Sequence, residues 1–531
     1  MKISNFMLVT SAIIGLPLLA SAEVVTQSNC GTNCSWSYDT DTGEVNVFLT
    51  NSSGESPTGK VTSTPWTTYR DSITSITADN SISGSVSCYH CSNLTEVTVG
   101  KNITSIASNA FEGTKLASIN IPQDSQITSI GSFAFNNAKI ESIYIPSTVT
   151  NIGASAFSGS SLTSLNIPDS VTSGNLGCYH CANLTEVTVG KNVTSIASNA
   201  FEGTKLTSIT IPEDSQITSI GSFAFNGAKI ESIYIPDTVT NIGASAFSGS
   251  SLTSLNVPDS VTSGNIGCYH CANLTEVTVG KNVTSIANNA FEGTKLASIT
   301  IPEDSKITSI GSFAFNGAKI ESIYIPDTVT NIGAKAFAGS SLTSLNVPDS
   351  VTSGDIGCYH CANLTEVVLG KNVTSIANNA FEGTKLTSIV IPEDSKITSI
   401  GSFAFNGVKL DSIYIPDSVT SIGSHAFTGV SLSEIICSAE NLQRYLDAKG
   451  VLKDGATISC TSGSCENALK GTKWEGKVSV VYPVQEKTLP DGSIEVYKNG
   501  KFVGYKHKRI YTVEEANAVS GPHNKVMIRY K

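Results

Sequence analysis

The tetrapeptide Cys-Tyr-His-Cys begins at Cys88, Cys178, Cys268 and Cys358, and the residues between successive copies are nearly identical. A chain of 531 residues would ordinarily be divided among about three or four globular domains. Self-similarity at a fixed spacing of 90 residues replaces that expectation with an array in which each unit packs only on its neighbours.

A shorter repeat lies inside the long one. Phenylalanines recur at Phe111, Phe135 and Phe157, then Phe201, Phe225 and Phe247, then Phe291, Phe315 and Phe337, then Phe381, Phe405 and Phe427. With Tyr89, Tyr179, Tyr269 and Tyr359 placed in the same column, the steps are 22, 24, 22 and 22, so each long unit is four coils and the array holds about sixteen. In Leu162-Thr163-Ser164-Leu165-Asn166-Ile167-Pro168, branched residues alternate with small polar ones, which predicts a strand with its apolar side inward. Ile140-Glu141-Ser142-Ile143-Tyr144-Ile145-Pro146 is read the same way, and the proline ends each strand because it offers no ladder donor. A second apolar patch, such as Ile127-Thr128-Ser129-Ile130-Gly131, leads to Ala134-Phe135 and a polar turn. One coil cannot bury its own apolar side, but stacked copies align Leu on Leu and Phe on Phe. The expected fold is a β-rich, right-handed repeat solenoid of 22 to 24-residue coils, capped at both ends, with a small α+β C-terminal module. At the spacing of neighbouring strands the sixteen coils would extend roughly 75 Å.

That geometry weighs against catalysis. His90, His180, His270 and His360 stand one long unit apart, roughly 19 Å at the strand spacing, and cannot converge on one substrate atom. The sequence has no Gly-x-Ser-x-Gly elbow, His-Glu-x-x-His, Walker loop or dinucleotide glycine motif. No catalytic residue, cofactor or metal is expected. With 15% charged and 7% aromatic residues, the core must be built from many small contacts instead of a few large side chains.

The N-terminus carries Lys2, an apolar stretch from Phe6 to Leu19 and then Ala20-Ser21-Ala22, the pattern of a secretory signal peptide over residues 1–22. No later stretch approaches the roughly 18 apolar residues a membrane helix needs. Leu489-Pro490-Asp491-Gly492-Ser493 resembles a cell-wall sorting signal but lacks its Thr-Gly pair and any hydrophobic tail, so anchoring by that route is rejected. A secreted protein, extracellular or associated with a cell surface, is expected.

The coil pattern, seen in Ser147-Thr148-Val149-Thr150-Asn151-Ile152-Gly153-Ala154-Ser155-Ala156-Phe157, resembles the BspA-type leucine-rich repeats over about two thirds of the chain. The preceding segment, with Cys30-Gly31, Trp36, Asp39, Gly43 and Pro65-Trp66 in that order, resembles the family's entry module. The resemblance implies a surface or secreted protein of a host-associated microbe, in a family whose studied members bind matrix proteins, cells or other microbes. No residue-level binding motif comes with it.

Two features depart from an ordinary coil of that family. In every fourth coil the Ala-Phe-x-Gly turn becomes Cys-Tyr-His-Cys, which puts cysteines in the alanine and glycine columns of this alignment. In an oxidising compartment Cys88 with Cys91, Cys178 with Cys181, Cys268 with Cys271 and Cys358 with Cys361 are candidate local disulfides. Buried free thiols are the alternative, and a metal site would lack a fourth ligand. Cys30 with Cys34 would staple the entry, and Cys437 with Cys460 or Cys465 the exit, leaving one of the 13 cysteines over. The second departure is in the outward strand column, where Asn120, Asn166, Thr188 and Thr210 give way in every fourth coil to Tyr144, Tyr234, Tyr324 and Tyr414. Exposed aromatics among small polar residues suit protein or glycan contacts, and these four tyrosines are the candidate ligand-binding residues. The opposing reading is that duplication copied one tolerated tyrosine four times. Sequons such as Asn93-Leu94-Thr95 and Asn192-Val193-Thr194 would carry glycans in a eukaryotic secretory pathway.

The domain reading is a signal peptide (1–22), an entry module (23–84), the solenoid (85–437), a cap helix with a cysteine loop (438–465) and a basic α+β module (466–531). Ser438 before Ala439–Asp447 reads as a capped helix stopped by Gly450. The last module carries twelve basic and seven acidic residues, 12 − 7 = +5, against −11 for the whole chain. A hairpin is expected around Asn499-Gly500, a helix over Tyr511–Val519 and a strand over Lys525–Tyr530. Lys506, Lys508 and Arg509 would attract an anionic polymer. The expected function is extracellular adhesion or recognition of a protein or glycan, without nucleic acid or a membrane span. A structural spacer presenting the basic module is the first alternative, and a secreted enzyme the second.

Overall fold

The period-two runs form the strands their patterning requires. In the computed structural model the chain is a β-solenoid of about nineteen turns with very little helix, against the approximate sixteen coils read from the aromatic spacing. The structure describes residues 23–49, 59–174, 176–264, 266–354 and 356–482, and the backbone of three further strands, Gln485–Thr488, Ile494–Lys498 and Lys501–Lys506. It divides into two compact units, Met1–Lys319 and Ile320–Lys531. The signal peptide, the helix expected over Tyr511–Val519, the last strand, Lys508 and Arg509 lie outside the described residues.

The first unit begins with an antiparallel meander, Val24–Thr32, Cys34–Asp39 and Glu44–Leu49. Its outer strand then acts as a template, since Glu44–Leu49 pairs in parallel with Ser75–Ala78, Val45 opposite Ile76. The row continues through Glu96–Thr98 to Ser118–Asn120. Gly59–Val61 starts a second parallel row through Ile82–Val86 and Ile103–Ile106. The entry segment therefore seeds two ladders and covers sheet edges that would otherwise offer unpaired backbone. Trp36 and Trp66, both buried, meet edge to face beneath it with ring centroids 6.2 Å apart.

Each regular coil contributes one strand to each ladder. In the first, Leu165, Val187 and Ile209 are consecutive register partners. In the second, Ile130, Ile152 and Gly174 align. The apolar patch at Ile127–Gly131 is thus a strand in its own right, Ser129–Ile130, too short to show a periodicity of its own. Between the ladders' ends runs the phenylalanine column. Phe111, Phe135 and Phe157 are fully buried, with centroids 5.5 Å and 5.7 Å apart, and Phe201, Phe225 and Phe247 repeat those spacings.

The hydrogen bonds correct the sequence alignment of the Cys-Tyr-His-Cys turn by one residue. In ordinary turns the phenylalanine amide donates to the alanine carbonyl of the next coil, Phe111 to Ala134 and Phe135 to Ala156. Phe157 instead donates to Gly177, and Cys178 donates to Ala200. Gly177 therefore holds the alanine column and Cys178 the phenylalanine column. Tyr179 falls in the column of Glu112, Asn136 and Ser158, and His180 in the column of Gly113 and Gly159, all three with positive φ (56°, 68° and 65°). The true steps are 24, 22, 21 and 23. Matching aromatic to aromatic aligns Tyr179 with phenylalanine, but burial selects the cysteine: Cys178 is fully buried while Tyr179 is 40% exposed.

Both ladders are interrupted once per long unit. The first has no strand at Ile140–Pro146, where one was expected, and resumes at Ser164–Asn166. The step into this coil is the 24-residue one, with two extra residues in the loop around Pro122–Gln126, and the first ladder breaks after each such step; only in the last copy does the following segment, Ser412–Tyr414, pair on its far side. The second ladder stops after Ser173–Gly174 and resumes at Ser195–Ile196, across the 21-residue step. Here a residue is missing between the second-ladder strand and the turn.

In the second unit Phe381, Phe405 and Phe427 stack at 5.4 Å and 5.2 Å, and Tyr445 of the helix Ala439–Asp447 closes the column 4.8 Å from Phe427. Ser438 caps the helix by accepting from the Asn441 amide. Asn441, buried, donates to the Pro416 carbonyl at 2.9 Å, and the Tyr445 hydroxyl donates to Val451 at 2.8 Å. The parallel strands Ser431–Cys437 and Val451–Cys460 bring Cys437 opposite Cys460. The disulfide nevertheless joins Cys460 to Cys465, with Cα atoms 6.1 Å apart, and Cys437 is a free thiol. This departs from the expected pairing of Cys437, because in-register neighbours on parallel strands point their side chains the same way, not toward each other. Ile494–Lys498 and Lys501–Lys506 pair antiparallel, with Lys498 opposite Lys501, around the expected Asn-Gly position.

Candidate functional site

Two rows of side chains leave the otherwise small and polar surface, and both arise where a ladder breaks. Tyr144 and Tyr234 in the first unit are 47% and 49% exposed, and Tyr324 in the second is 49% exposed. Tyr414 is only half-buried and belongs to a regular strand, Ser412–Tyr414, paired with Ser431–Cys437. Burial raises its phenol pKa, with Asp417 and Glu393 adding to the effect. Beside Tyr144 the side chain of Ile143 is half-buried and Glu141 is exposed. Tyr144 thus stands in a small patch with an apolar base and an acidic margin, repeated by Ile233 with Glu231 and by Ile323 with Glu321 around Tyr234 and Tyr324. Tyr144 and Tyr234 stand 90 residues apart along the first unit and do not form one site.

The second row is the Cys-Tyr-His-Cys turn. The coil is one residue short here, with four residues from Gly174 to Cys178 where Ile152 to Phe157 spans five. A cleft of about 300 Å³ results, lined by Ser155, Gly177, Tyr179, Ala197, Asn199 and Ala200. The next copy forms one of about 360 Å³ around Ser245, Gly267, Tyr269 and Asn289. Gly177 forms the floor, and a Cβ there would lie 2.6 Å from the Ser155 backbone. The Tyr179 ring forms one wall and packs against the His180 ring with centroids 3.9 Å apart. His180 in turn lies over Gly203, where a Cβ would meet its Nδ1 at 2.6 Å.

Behind the cleft is a carboxylate that sequence reasoning missed. Glu202 follows Tyr179 in the outward column and accepts from the side-chain amides of Asn199 and Asn226. Glu292 is held in the same way by Asn289 and Asn316. Among the described residues no Lys, Arg or His side chain forms an ion pair with either carboxylate. The signal was present as the recurring Asn-Ala-Phe-Glu and Phe-Asn sequences, but only the coil register places the two asparagines on either side of the glutamate.

In the second unit the same turn carries a different neighbour. Lys335 stands where Ser155 and Ser245 stand, with the same left-handed backbone (φ 54° against 53° and 54°), and its Nζ lies over the Tyr359 ring, 5.2 Å from the centroid.

Cys88 and Cys91 form a disulfide with Cα atoms 5.5 Å apart, as do Cys30 and Cys34 at 5.4 Å. Cys178 with Cys181, Cys268 with Cys271 and Cys358 with Cys361 are buried thiols. The Cys181 thiol donates to the Phe157 carbonyl at 3.0 Å and lies 3.4 Å from the Ser160 hydroxyl. Its hydrogen bond with Cys181, together with burial, pushes the Cys178 thiol pKa well up. Among the described residues no three His, Cys, Asp or Glu side chains come together to hold a metal, and no helix is long and apolar enough to cross a membrane.

The coil pattern matches the model of the BspA type leucine rich repeat region over residues 66–126, 123–216, 209–307, 304–397 and 379–447. No curated protein matches the chain. Solved structures that resemble the chain include a leucine-rich repeat protein from Bacteroides ovatus, 19% identical, covering 82% of this chain and 99% of that one with a TM-score of 0.47. Another, from Eubacterium ventriosum, is 23% identical, with coverage of 77% and 95% and a TM-score of 0.35. A leucine rich cell surface protein from Faecalibacterium prausnitzii is 23% identical, with coverage of 70% and 95% and a TM-score of 0.35. Matched from residue 66 to residue 447, the chain belongs to the BspA-type leucine-rich repeat proteins.

Proposed function

We propose that the protein is an extracellular or cell-surface recognition protein whose solenoid binds matrix proteins, cells or glycans multivalently. The carrying observation is the row of half-exposed tyrosines, Tyr144, Tyr234 and Tyr324, rising from a surface of Ser, Thr and Asn. Large rigid side chains that stay in water without a partner supply contact area at low entropic cost. Equivalent patches every 90 residues allow one extended partner to engage several, so weak single contacts combine into useful avidity. Secretion directed by residues 1–22 fits this role, as does membership of a repeat family that works through its surface. Catalysis has no part in it.

The test is solid-phase binding of residues 23–531 to immobilised matrix proteins, host cells and polysaccharides, beside a variant with Tyr144, Tyr234, Tyr324 and Tyr414 changed to Ser. Saturable binding lost in a folded variant supports recognition through the tyrosine row. Absence of binding by the intact chain to every surface sinks the adhesion reading and favours a spacer.

A further inference from the structure

We propose that the clefts at Tyr179 and Tyr269 are receptors for a primary alkylammonium group, a lysine side chain of a partner protein. The protein itself supplies the precedent. At the third copy Lys335 lies with its Nζ 5.2 Å from the Tyr359 centroid, within the range at which a cation is attracted to an aromatic face. Its backbone conformation matches that of Ser155 and Ser245, so the lysine reaches the ring from the same column. At the two earlier copies serine cannot reach, and clefts of about 300 Å³ and 360 Å³ stand open beside the ring.

The surrounding chemistry selects a cation over a neutral group. Glu202 and Glu292, each fixed by two asparagine amides, place a carboxylate behind the cleft wall formed by Asn199 or Asn289. No cationic side chain among the described residues forms an ion pair with them. An ammonium entering beside Tyr179 meets the ring face, the Ser155 hydroxyl and the field of that carboxylate together. The proposal builds on the protein's reading as a recognition surface, but it does not depend on the sheet-face tyrosines.

The experiment uses residues 23–531 and Nα-acetyl-lysine amide, with the Nε-acetylated compound as its neutral twin, read by saturation-transfer NMR. The lysine probe binds and the neutral twin does not. Tyr179→Ser with Tyr269→Ser weakens binding at least tenfold, and Ser155→Lys, which copies the third turn, removes about half of the signal. Lys335→Ser opens a third cleft and raises the signal by about half, a gain that misfolding cannot produce. Equal binding of the neutral twin, or no gain in Lys335→Ser, overturns the proposal. Binding of choline in place of the lysine probe overturns the assignment to a primary ammonium. The variant lacking the four sheet-face tyrosines retains lysine binding, so failure of the adhesion reading and failure of this proposal are separately visible.

Discussion

The one-residue shift at the Cys-Tyr-His-Cys turn makes a prediction that separates the two possible registers. If tyrosine occupied the phenylalanine column, removing it would open a large cavity. In the structure Tyr179 is 40% exposed, whereas Phe157, one coil earlier, is fully buried and stacked 5.7 Å from Phe135. Phe157→Ala therefore costs about 3–5 kcal/mol, the usual range for a buried phenylalanine. Tyr179→Ser loses only a surface packing contact with His180 and should stay within about 0.5 kcal/mol. Because repeat arrays open locally, the measurement is native-state hydrogen exchange on peptides covering residues 150–205. Phe157→Ala should accelerate exchange there by a factor of about 150 to several thousand, and Tyr179→Ser by less than about 2.5-fold. Acceleration by Tyr179→Ser comparable with that of Phe157→Ala would refute the register, and with it the cleft.

Three further outcomes follow from the packing. A Cβ at Gly153 would lie 2.3 Å from the Ser132 amide nitrogen, so Gly153→Ala forces neighbouring coils apart and should cost about 1–3 kcal/mol in the same exchange measurement. Burial raises the Cys437 thiol from 9.0 to about 12, with Asp417 contributing. The unfolded chain releases this proton first, so from pH 9 to 12 the stability of the C-terminal cap falls by at most about 1.4 kcal/mol per pH unit. Cys437→Ala should flatten that decline in exchange at residues 439–447. The Cys178, Cys268 and Cys358 turns keep the backbone of the Cys88 turn, with Cys181 donating to Cys178 at 3.0 Å as Cys91 donates to Cys88 at 3.2 Å. Exchange with an excess of a small disulfide should therefore close all three pairs, each consuming one reagent disulfide and releasing two reagent thiols. Alkylation after unfolding should then label Cys437 alone, and labelling at the three turns would count against closure.

Much of the architecture was legible in the sequence because repetition multiplies each local signal. Leu165 with Ile167 announces an inward face, and Ser438 with Gly450 announces the ends of a helix. The 90-residue period turns those local readings into a stack. What escaped was register. Aromatic character aligns Tyr179 with Phe157, yet burial depends on the backbone, and Phe157 bonding to Gly177 shifts the column by one. Ile140–Pro146 has the alternation of a strand, but a strand also needs a neighbour to pair with; after the longer loop around Pro122–Gln126 it pairs with neither side, whereas its copy Ser412–Tyr414 pairs with Ser431–Cys437. The pairing of Cys460 with Cys465 instead of Cys437 has the same origin, since side-chain direction counts and proximity in the ladder does not suffice.

These irregularities explain why the candidate surfaces occur where they do. In an unbroken stack every coil covers the one before it, and any position is as crowded as its copies above and below. A surface able to distinguish ligands must then come from a coil that differs in length, since substitution within a perfect column mostly changes texture. The 24-residue step releases Tyr144 from the first ladder, and the 21-residue step leaves the second ladder one residue short beside Tyr179. The deviations compensate within each long unit, so the phenylalanine column returns to register after 90 residues. Duplication of the whole unit then preserves both the irregularity and its correction. It leaves a single substitution, Lys335 where Ser155 and Ser245 stand, to change what meets the tyrosine ring.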